Sequence, residues 1–507
     1  MFSVKLKPIL VLSSDFYTRK VSYLASTTQN KKNTIDLKSW KKIPGPSSLP
    51  VLGQIHHFLL PGGIFNSTDG GHDLWDKLYN TYGPIVRINT IFKPNMIVVF
   101  DGDIAAEMYH RENMLPLRPA FFSFAYFKKY HNRPKDQHTK PSGLVTENGE
   151  NWKWFRSKVN STMLDPKNVQ RYSTQIDEVA LDMIERIRSL RDHNNVFCGE
   201  FDKEMNLWAL ESVAVIALGR RINCFAPKTD DVLVEKLINC THELFEIASN
   251  LDYKPSIWKY YATKNFKNAM QVYGDIEYIT KHYVNMTLEN LKTKANNTHE
   301  EKSILEKLLE IDENVAHIMS MDMLVAGIDT TSNTLSATLY LLATHPKIQQ
   351  KLRDNILLDP KTPYLTACIK ESMRMRPVAG LNVRETTKDY EILGYNIPKG
   401  TSLLFCHQYM STMEKHFPKA NEYIPERWLS SEKNPMYPGA GHKFASLPFG
   451  FGSRSCIGQR IADLELKTFL SRLIENFEIS WFGDPPKIHP THINQVISPN
   501  NFIFKDV

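Results

Sequence analysis

The sequence predicts a mainly α-helical domain with a small β portion. From about residue 100 to about residue 376, apolar residues recur mostly at helical spacing, and residues 314–344 contain no proline. Strand-like runs occur at 85–89 and 96–100, between 390 and 405, and near 502–504. The sequence has no internal repeat and no interior linker. We therefore expect a single folded domain.

The N-terminal segment carries the whole charge excess of the chain. The 507 residues have a net charge of +7, and residues 1–42 hold nine Lys or Arg and two Asp. The remainder is neutral, which predicts no nucleic-acid partner. A basic, hydroxyl-rich segment with few acids is typical of a mitochondrial transit peptide. Its longest apolar run, Ile9–Leu12, is far below the ~18–20 residues that span a bilayer. The alternative is a tail without a targeting role.

The division that we predict is a leader at 1–42 and a folded domain at 43–507. The domain opens on the stiff, non-helical run Ile43-Pro44-Gly45-Pro46. Six Cys are scattered without paired spacing, so neither a zinc site nor a redox dithiol is expected.

One of these cysteines, Cys456, lies in a glycine-rich turn. Gly450 and Gly452 allow the backbone to turn sharply and to aim the following amides at the sulfur. Arg454 is two residues away, and a guanidinium binds a carboxylate with two hydrogen bonds. This pattern predicts a thiolate that binds a haem iron. The alternative is a free cysteine in a flexible turn.

The run 449–458 satisfies Phe-x-x-Gly-x-Arg-x-Cys-x-Gly at every fixed position. It resembles the haem-binding loop of the cytochrome P450 superfamily. The resemblance implies the P450 fold, with haem b between a long central helix and the Cys-bearing loop. Cys456 would be the axial ligand of the iron, with Phe449, Arg454 and Gly458 against the haem. A thiolate ligand favours O–O cleavage.

Three further positions resemble haem propionate ligands of the family. Trp152 and Arg156 are four residues apart and share a face of a predicted helix. Arg384 matches another propionate-binding arginine. An amphipathic helix with a solvated arginine is the alternative for the first pair.

The segment 314–344 predicts one helix of about 31 residues. Its middle, Ala326–Ser332, matches the family pattern Ala-Gly-x-Asp/Glu-Thr. The resemblance implies that Thr330 bonds the bound oxygen and that Asp329 relays protons. Gly327 costs about 1 kcal/mol in a helix, which we attribute to room for dioxygen and substrate.

Glu371 and Arg374 are three residues apart on a helix predicted at 364–376. The resemblance implies that they pair with Arg427 behind the haem, where the three residues would stabilise the fold and take no part in catalysis.

The runs Tyr130–Pro134, Gly143–Val145 and Trp208–Ser212 resemble mitochondrial members, in particular the insect detoxification-type enzymes. Such members receive electrons from a small acidic ferredoxin of the adrenodoxin type and its NADPH-dependent reductase. Lys370 and Arg460 match the basic docking positions of these members. Thr366 and Gln459 replace two others, so docking is expected to be weaker or to use Lys443 and Lys467 as well. The location implied is the matrix side, with peripheral association with the inner membrane left open.

The implied reaction inserts one oxygen atom from O2 into a lipophilic molecule, xenobiotic or steroid-like. Candidate pocket residues are Phe121, Phe122, Phe124, Leu324, Val325, Ala326, Leu381, Val496 and Ile497. Two alternatives remain: a haem-thiolate isomerase, and a non-enzymatic haem or sterol carrier.

Overall fold

The computed structural model describes residues 37–65, 72–89, 95–112, 114–225, 232–293, 302–429, 442–497 and 501–507. Residues 1–36 of the predicted leader lie outside this set. The expectation of a mainly helical chain with a small β portion is confirmed.

The helices carry most of the described chain. They are α1 His56–Leu59, α2 His72–Tyr82, α3 Gly102–His110, α4 Phe122–Lys129, α5 Gly149–Leu164, α6 Pro166–Gln170, α7 Ser173–Ser189, α8 Phe201–Ala217, α9 Val232–Ala248, α10 Lys264–Thr293, α11 Ile304–Ile311, α12 Glu313–Thr344, α13 Pro346–Leu358, α14 Pro363–Met375, α15 His407–Met410 and α16 Gln459–Asn476. Helix α9 continues into a π-helical turn at Ser249–Tyr253.

The strands are short. They are β1 Lys38–Ser39, β2 Ile85–Ile88, β3 Met96–Val99, β4 Asn382–Glu385, β5 Tyr390–Ile392, β6 Tyr395–Ile397, β7 Ser402–Phe405, β8 Phe477–Trp481, β9 Lys487–Pro490, β10 Asn494–Ile497 and β11 Phe502–Asp506. A four-stranded sheet has the order β2-β3-β7-β4, and a three-stranded sheet has the order β1-β6-β5. Strands β9 and β10 form one hairpin, and β8 pairs with β11.

Helix α12 is the centre of the main core. It spans 32 residues, or about 48 Å, and begins where the Asp312 side chain accepts a hydrogen bond from the Val315 amide at 3.0 Å. The predicted start was one residue later. Buried side chains occupy most of its faces, because α8, α10, α14, α16 and the hairpin β9–β10 all pack against it.

Gly327 has a different role from the one expected. A Cβ at this position would lie 2.7 Å from Cγ2 of Val213 on α8. The glycine therefore allows α8 to approach α12 closely, and its missing side chain is not what leaves room for dioxygen. The attribution made from sequence was wrong because the partner helix lies more than 100 residues away in the chain.

In the part of the chain that is described, none of the helices has the length and apolar character to cross a membrane.

Candidate active site

The loop that carries Cys456 is shaped by two left-handed glycines. Gly450 has φ 71° and Gly452 has φ 72°, a region that side chains with a Cβ rarely adopt. The loop closes on itself because the Cys456 amide donates to the Phe449 carbonyl at 2.8 Å. Helix α16 begins three residues after the cysteine, so the sulfur is held between a rigid turn and a helix start.

The Cys456 sulfur is surrounded by protein and remains accessible to a ligand. Burial raises the pKa of its thiol. The Gly458 amide bonds the sulfur, and this bond together with the Arg156 and Arg118 cations acts in the opposite direction, lowering the pKa. These groups favour the thiolate, which is the form that binds a metal.

A cluster of arginines lies beside this loop. Arg454 donates from Nε to the Pro116 carbonyl at 3.0 Å and from Nη2 to Oδ1 of Asn148 at 2.7 Å. Its guanidinium lies 3.9 Å from the centre of the buried Trp152 ring. The other terminal nitrogen, Nη1, is buried without a hydrogen-bond partner among the described residues.

The cluster has more positive than negative charge, because Arg118, Arg156, Arg384 and Arg454 lie near a single carboxylate, Glu112. Burial and the nearby Arg118 and Arg384 cations lower the pKa of Arg454 to about 8. A buried cation among other cations needs an anion close by. A haem would supply two propionates for these guanidinium groups and an iron for Cys456, so the residues present fit this group. Sequence reasoning missed Arg118, because it follows no recognisable motif and only the fold brings it to the site.

The other predicted propionate ligands lie at the same place. Arg156 donates to the Ser455 carbonyl at 3.1 Å, directly before the cysteine. Arg384 forms an ion pair with Glu112 and donates from Nη1 to the Val383 carbonyl at 3.0 Å. Burial raises the pKa of Glu112. Arg384 therefore already has a protein carboxylate as its partner.

The predicted oxygen-side residues lie in the middle of α12. The Thr330 hydroxyl donates to the Ala326 carbonyl at 2.6 Å, and the Ala326 side chain is exposed. Asp329 is fully buried, and its carboxyl lies against His242, with 3.2 Å between Oδ1 and Nδ1. Burial raises its pKa to about 6, and His242 acts against this shift.

The three scaffold residues lie together in the core. Both oxygens of Glu371 accept from Arg374, at 2.8 and 2.9 Å, and one accepts from Arg427 at 2.9 Å. The Trp428 indole donates to the same carboxylate at 2.8 Å, a partner that the sequence pattern did not reveal. The three charged groups of this network are hydrogen-bonded, as buried ions require.

The predicted pocket residues lie in different environments. Ala326 and Thr330 share one face of α12. Phe124 packs in the core 4.8 Å from the ring of Tyr273. Buried positions also include Leu324, Val325 and Val496. Half-buried positions are Phe121, Phe122 and Leu381, whereas Ile497 is exposed.

Phe122 lines an open cleft of about 670 Å³ between α4 and the segment 258–262. Half of the residues that line it are aromatic: Phe122, Tyr126, Tyr130, Trp258, Tyr260, Tyr261 and Phe266. Asn148, whose Oδ1 accepts a hydrogen bond from Arg454, also lines this cleft.

The segment before α5 is tied to the central helix by a buried ion pair that the sequence did not reveal. Asp322 lies 2.5 Å from Nζ of Lys128 and accepts from the Leu144 amide at 2.7 Å. A Cβ at Gly143 would come within 2.4 Å of the carboxylate.

Among the candidate docking residues, Lys370, Lys443 and Arg460 are exposed, whereas Lys467 on α16 is half-buried. Lys370 and Lys467 both act on Asp463 of α16, lowering a carboxyl pKa that burial raises. These two lysines therefore lie near the helix that follows Cys456. Arg460 donates to the Leu164 carbonyl at the end of α5.

Comparison with known proteins gives consistent results. The family model described as cytochrome P450 matches residues 43–505. The chain is 36% identical over 471 residues to cytochrome P450 CYP12A2 of Musca domestica, covering 87% of each protein. It is 34% identical to the probable cytochrome P450 12b2, mitochondrial, of Drosophila melanogaster, covering 91% of this chain and 88% of that protein. Against cytochrome P450 12b1, mitochondrial, of Drosophila acanthoptera the identity is 33%, over 94% of this chain and 91% of that protein.

Proposed function

The chain belongs to the cytochrome P450 family, and from that premise we propose that it hydroxylates a lipophilic small molecule in mitochondria with electrons from a ferredoxin. As a member of the family it is a haem-dependent monooxygenase that uses O2. The proposal adds the substrate class, the electron donor and the location. The observation that carries it is the cleft lined by seven aromatic side chains, whose wall includes Asn148, the hydrogen-bond acceptor of Arg454.

The residues around the site have separate tasks in this proposal. Haem bound through a thiolate supplies the O–O cleavage that lets one oxygen atom enter a C–H bond while the other leaves as water. Cys456 provides the thiolate, and the Gly458 amide tempers its charge by a hydrogen bond. Arg156, Arg454 and Trp152 would hold the propionate side of the haem. The Thr330 hydroxyl presents a proton, and Asp329 stores one.

The substrate class follows from the walls of the cleft. Seven aromatic rings line it, which favours an apolar molecule of xenobiotic or steroid-like size. Tyr260 and Tyr261 are 76% and 67% exposed at its mouth. We infer that the substrate enters there, passes Phe122 and reaches Ala326 on the central helix.

The electron donor and the location rest on charge. Lys370 and Arg460 are exposed near the start and the side of α16, so an acidic ferredoxin would meet cations there. Two of the relatives carry "mitochondrial" in their names, and residues 1–42 have a net charge of +7. We propose that the leader lies within residues 1–42, and because Lys38 and Ser39 pair with β6 we expect them to stay with the folded domain. A reporter fused to residues 1–37, which hold six Lys or Arg and two Asp, should enter mitochondria.

The experiment is reconstitution of the holoenzyme with a mitochondrial-type ferredoxin, its reductase and NADPH, against a panel of lipophilic compounds. We expect NADPH-dependent hydroxylated product with ferredoxin and none with a microsomal flavoprotein reductase. The matched control is Thr330→Ala, which leaves Cys456 in place. It should keep the haem spectrum while product per NADPH falls and peroxide rises.

The alternatives make different predictions in the same assay. A haem-thiolate isomerase would convert substrate without NADPH and would be insensitive to Thr330→Ala. A carrier would bind the compounds and convert none. Either result would overturn the proposed hydroxylation.

A further inference from the structure

A buried polar site lies on the side of α12 where the Asp329 carboxyl points. Asp329 is fully buried, and the imidazole of His242 on α9 lies against it, with Nδ1 3.2 Å from Oδ1. Burial raises the pKa of Asp329 to about 6. A carboxyl of this kind can hold a proton near neutral pH and release it, which a solvated aspartate cannot.

Two amides fix the orientation of His242. The Asn206 amide on α8 lies 2.9 Å from Nε2, and the Gln495 amide on β10 lies 3.2 Å from Nδ1. When Asn206 donates to Nε2, the ring hydrogen of the neutral imidazole is on Nδ1, and the Gln495 amide must then turn its oxygen, not its nitrogen, towards the ring. The Nδ1 atom is 3.2 Å from Oδ1 of Asp329, and both Asp329 oxygens are buried without a hydrogen-bond partner among the described residues. When the Asn206 amide turns over, its oxygen accepts the second hydrogen of an imidazolium. The site therefore accommodates both protonation states of His242.

The same imidazole is within reach of solvent. The His242 side chain is 36% exposed, whereas Asp329 is 0% exposed. One turn further along α9, Glu246 pairs with His489 at 3.0 Å, and these side chains are 43% and 49% exposed. His489 lies directly opposite Gln495 in the β9–β10 hairpin. His242 and Gln495 thus form the inner layer beneath an exposed pair, and His242 lies between that surface and Asp329.

We propose that His242 is the residue through which Asp329 regains its proton from solvent during catalysis. The inference rests on the proposed monooxygenase function and names a further residue for it. Each proton that Asp329 gives towards the Thr330 hydroxyl is replaced by the Nδ1 proton of the imidazolium. The imidazole then takes a proton from water, and no electron moves in any of these steps.

The neighbouring charges leave this path undisturbed. On α9 itself, Glu243 bonds Asn268 and Glu246 bonds His489. The facing groups from α8 and β10, Asn206 and Gln495, are neutral, and α12 contributes Asp329 alone. Thr330 follows Asp329 in the helix and bonds the Ala326 carbonyl. The last transfer therefore needs a rotation of the Asp329 carboxyl or one bridging water.

The first test reads the Asp329 proton directly and needs neither substrate nor ferredoxin. Infrared difference spectra of the holoenzyme across pH contain the carbonyl band of protonated carboxyls, and Asp329→Asn identifies the band of Asp329. Its midpoint is expected near pH 6 in the wild type. His242→Gln removes the facing cation, so the midpoint should rise by about one pH unit. An unchanged midpoint would overturn the proposal.

The second test measures how tightly NADPH oxidation is coupled to product formation. His242→Gln should lower product per NADPH about tenfold, raise peroxide and enlarge the solvent isotope effect, with haem content and substrate binding unchanged. His242→Lys retains a titratable cation and should recover part of the coupling. His193→Gln, in an exposed loop, is the matched control and should behave as the wild type. Normal coupling in His242→Gln would refute the relay alone, whereas a wild type without hydroxylation would refute the proposed function.

Discussion

Cys456 shows how much chemistry depends on the surroundings of one atom. Burial raises the pKa of its thiol, whereas the Gly458 amide and two arginines lower it. Of the described cysteines with a shifted pKa, Cys456 alone has two arginines that lower it. Burial raises the pKa of Cys368 and of Cys406 as well, but these two side chains are fully buried and are closed to a ligand.

We predict that Cys456→Ala abolishes the thiolate-type carbon monoxide difference spectrum of the reduced protein. Cys456→His should at most produce an imidazole-type spectrum, because nitrogen replaces sulfur as the ligand. Cys406→Ala is the control and should keep the thiolate spectrum. A thiolate spectrum in either Cys456 variant would show that another residue binds the iron.

Glu465 on α16 is a second residue whose surroundings change its pKa, and we expect it to affect stability and not catalysis. Its carboxyl is 1% exposed and lies beside Thr331 of the central helix, 3.5 Å from the hydroxyl. Burial raises its pKa from 4.5 to about 8. The folded chain therefore keeps this proton over a pH range in which the unfolded chain loses it.

We predict that stability falls as the pH rises from about 4.5 to about 8, because the folded pKa of Glu465 lies above the unfolded value. The contribution is complete below pH 4.5 and is lost above 8, a change of up to about 5 kcal/mol. Glu465→Gln keeps the shape without the titration. Urea unfolding at pH 5 and pH 8.5 should show a smaller loss of the free energy of unfolding in the variant than in the wild type. An equal loss in both proteins would contradict the assignment.

At the scale of elements, the fold is organised by the contact between α8 and α12. Gly327 lies against Val213, and a Cβ at Gly327 would come 2.7 Å from a methyl carbon of Val213. By contrast, a Cβ at Gly274 in α10 would make only an ordinary van der Waals contact, because the nearest atom is 4.0 Å away. Helix packing therefore requires a glycine at position 327 but not at position 274.

We predict that Gly327→Ala destabilises the protein by about 1–3 kcal/mol through overpacking. Val213→Ala removes the clashing methyl groups, so the double variant should recover most of this loss in a double-mutant cycle. Gly274→Ala is the matched control and should be neutral or more stable by up to about 1 kcal/mol. The free energy of unfolding in urea measures all four proteins. Additivity of the two substitutions would mean that the helices do not touch at this point.

At the scale of the whole molecule, the excess of positive charge lies at the N-terminus. Residues 1–42 hold the net charge of +7, and the remainder is neutral. Docking of an acidic protein therefore depends on local cations and not on a general attraction. Lys370 and Lys467 lie within electrostatic reach of Asp463, which offsets part of their charge.

We predict that Lys370→Glu raises the apparent KM for ferredoxin roughly fivefold at low ionic strength and flattens its salt dependence, because exposed rim charges mainly change association rates. Arg460→Glu should act in the same direction. Haem content and substrate binding should stay normal in both. Lys399→Glu, exposed in the turn before β7, is the charge-matched control. Wild-type reduction rates in both docking variants would place the donor elsewhere on the surface.

Local spacing was sufficient for the features that lie within one element. The turn around Cys456, the helix that ends at Thr344 and the adjacent Glu371 and Arg374 could all be predicted, because backbone geometry relates residues a few positions apart. The family followed from the same short patterns, and the mainly helical fold followed from periodicity.

Partners distant in the chain were decided by tertiary packing alone. Val213 against Gly327, Lys128 against Asp322 and His242 against Asp329 join positions that no periodicity relates. Phe122 and Phe124 are two residues apart, yet one lines a cleft and the other is in the core. Helical spacing specifies which residues share a face, but what covers that face depends on how the helices pack.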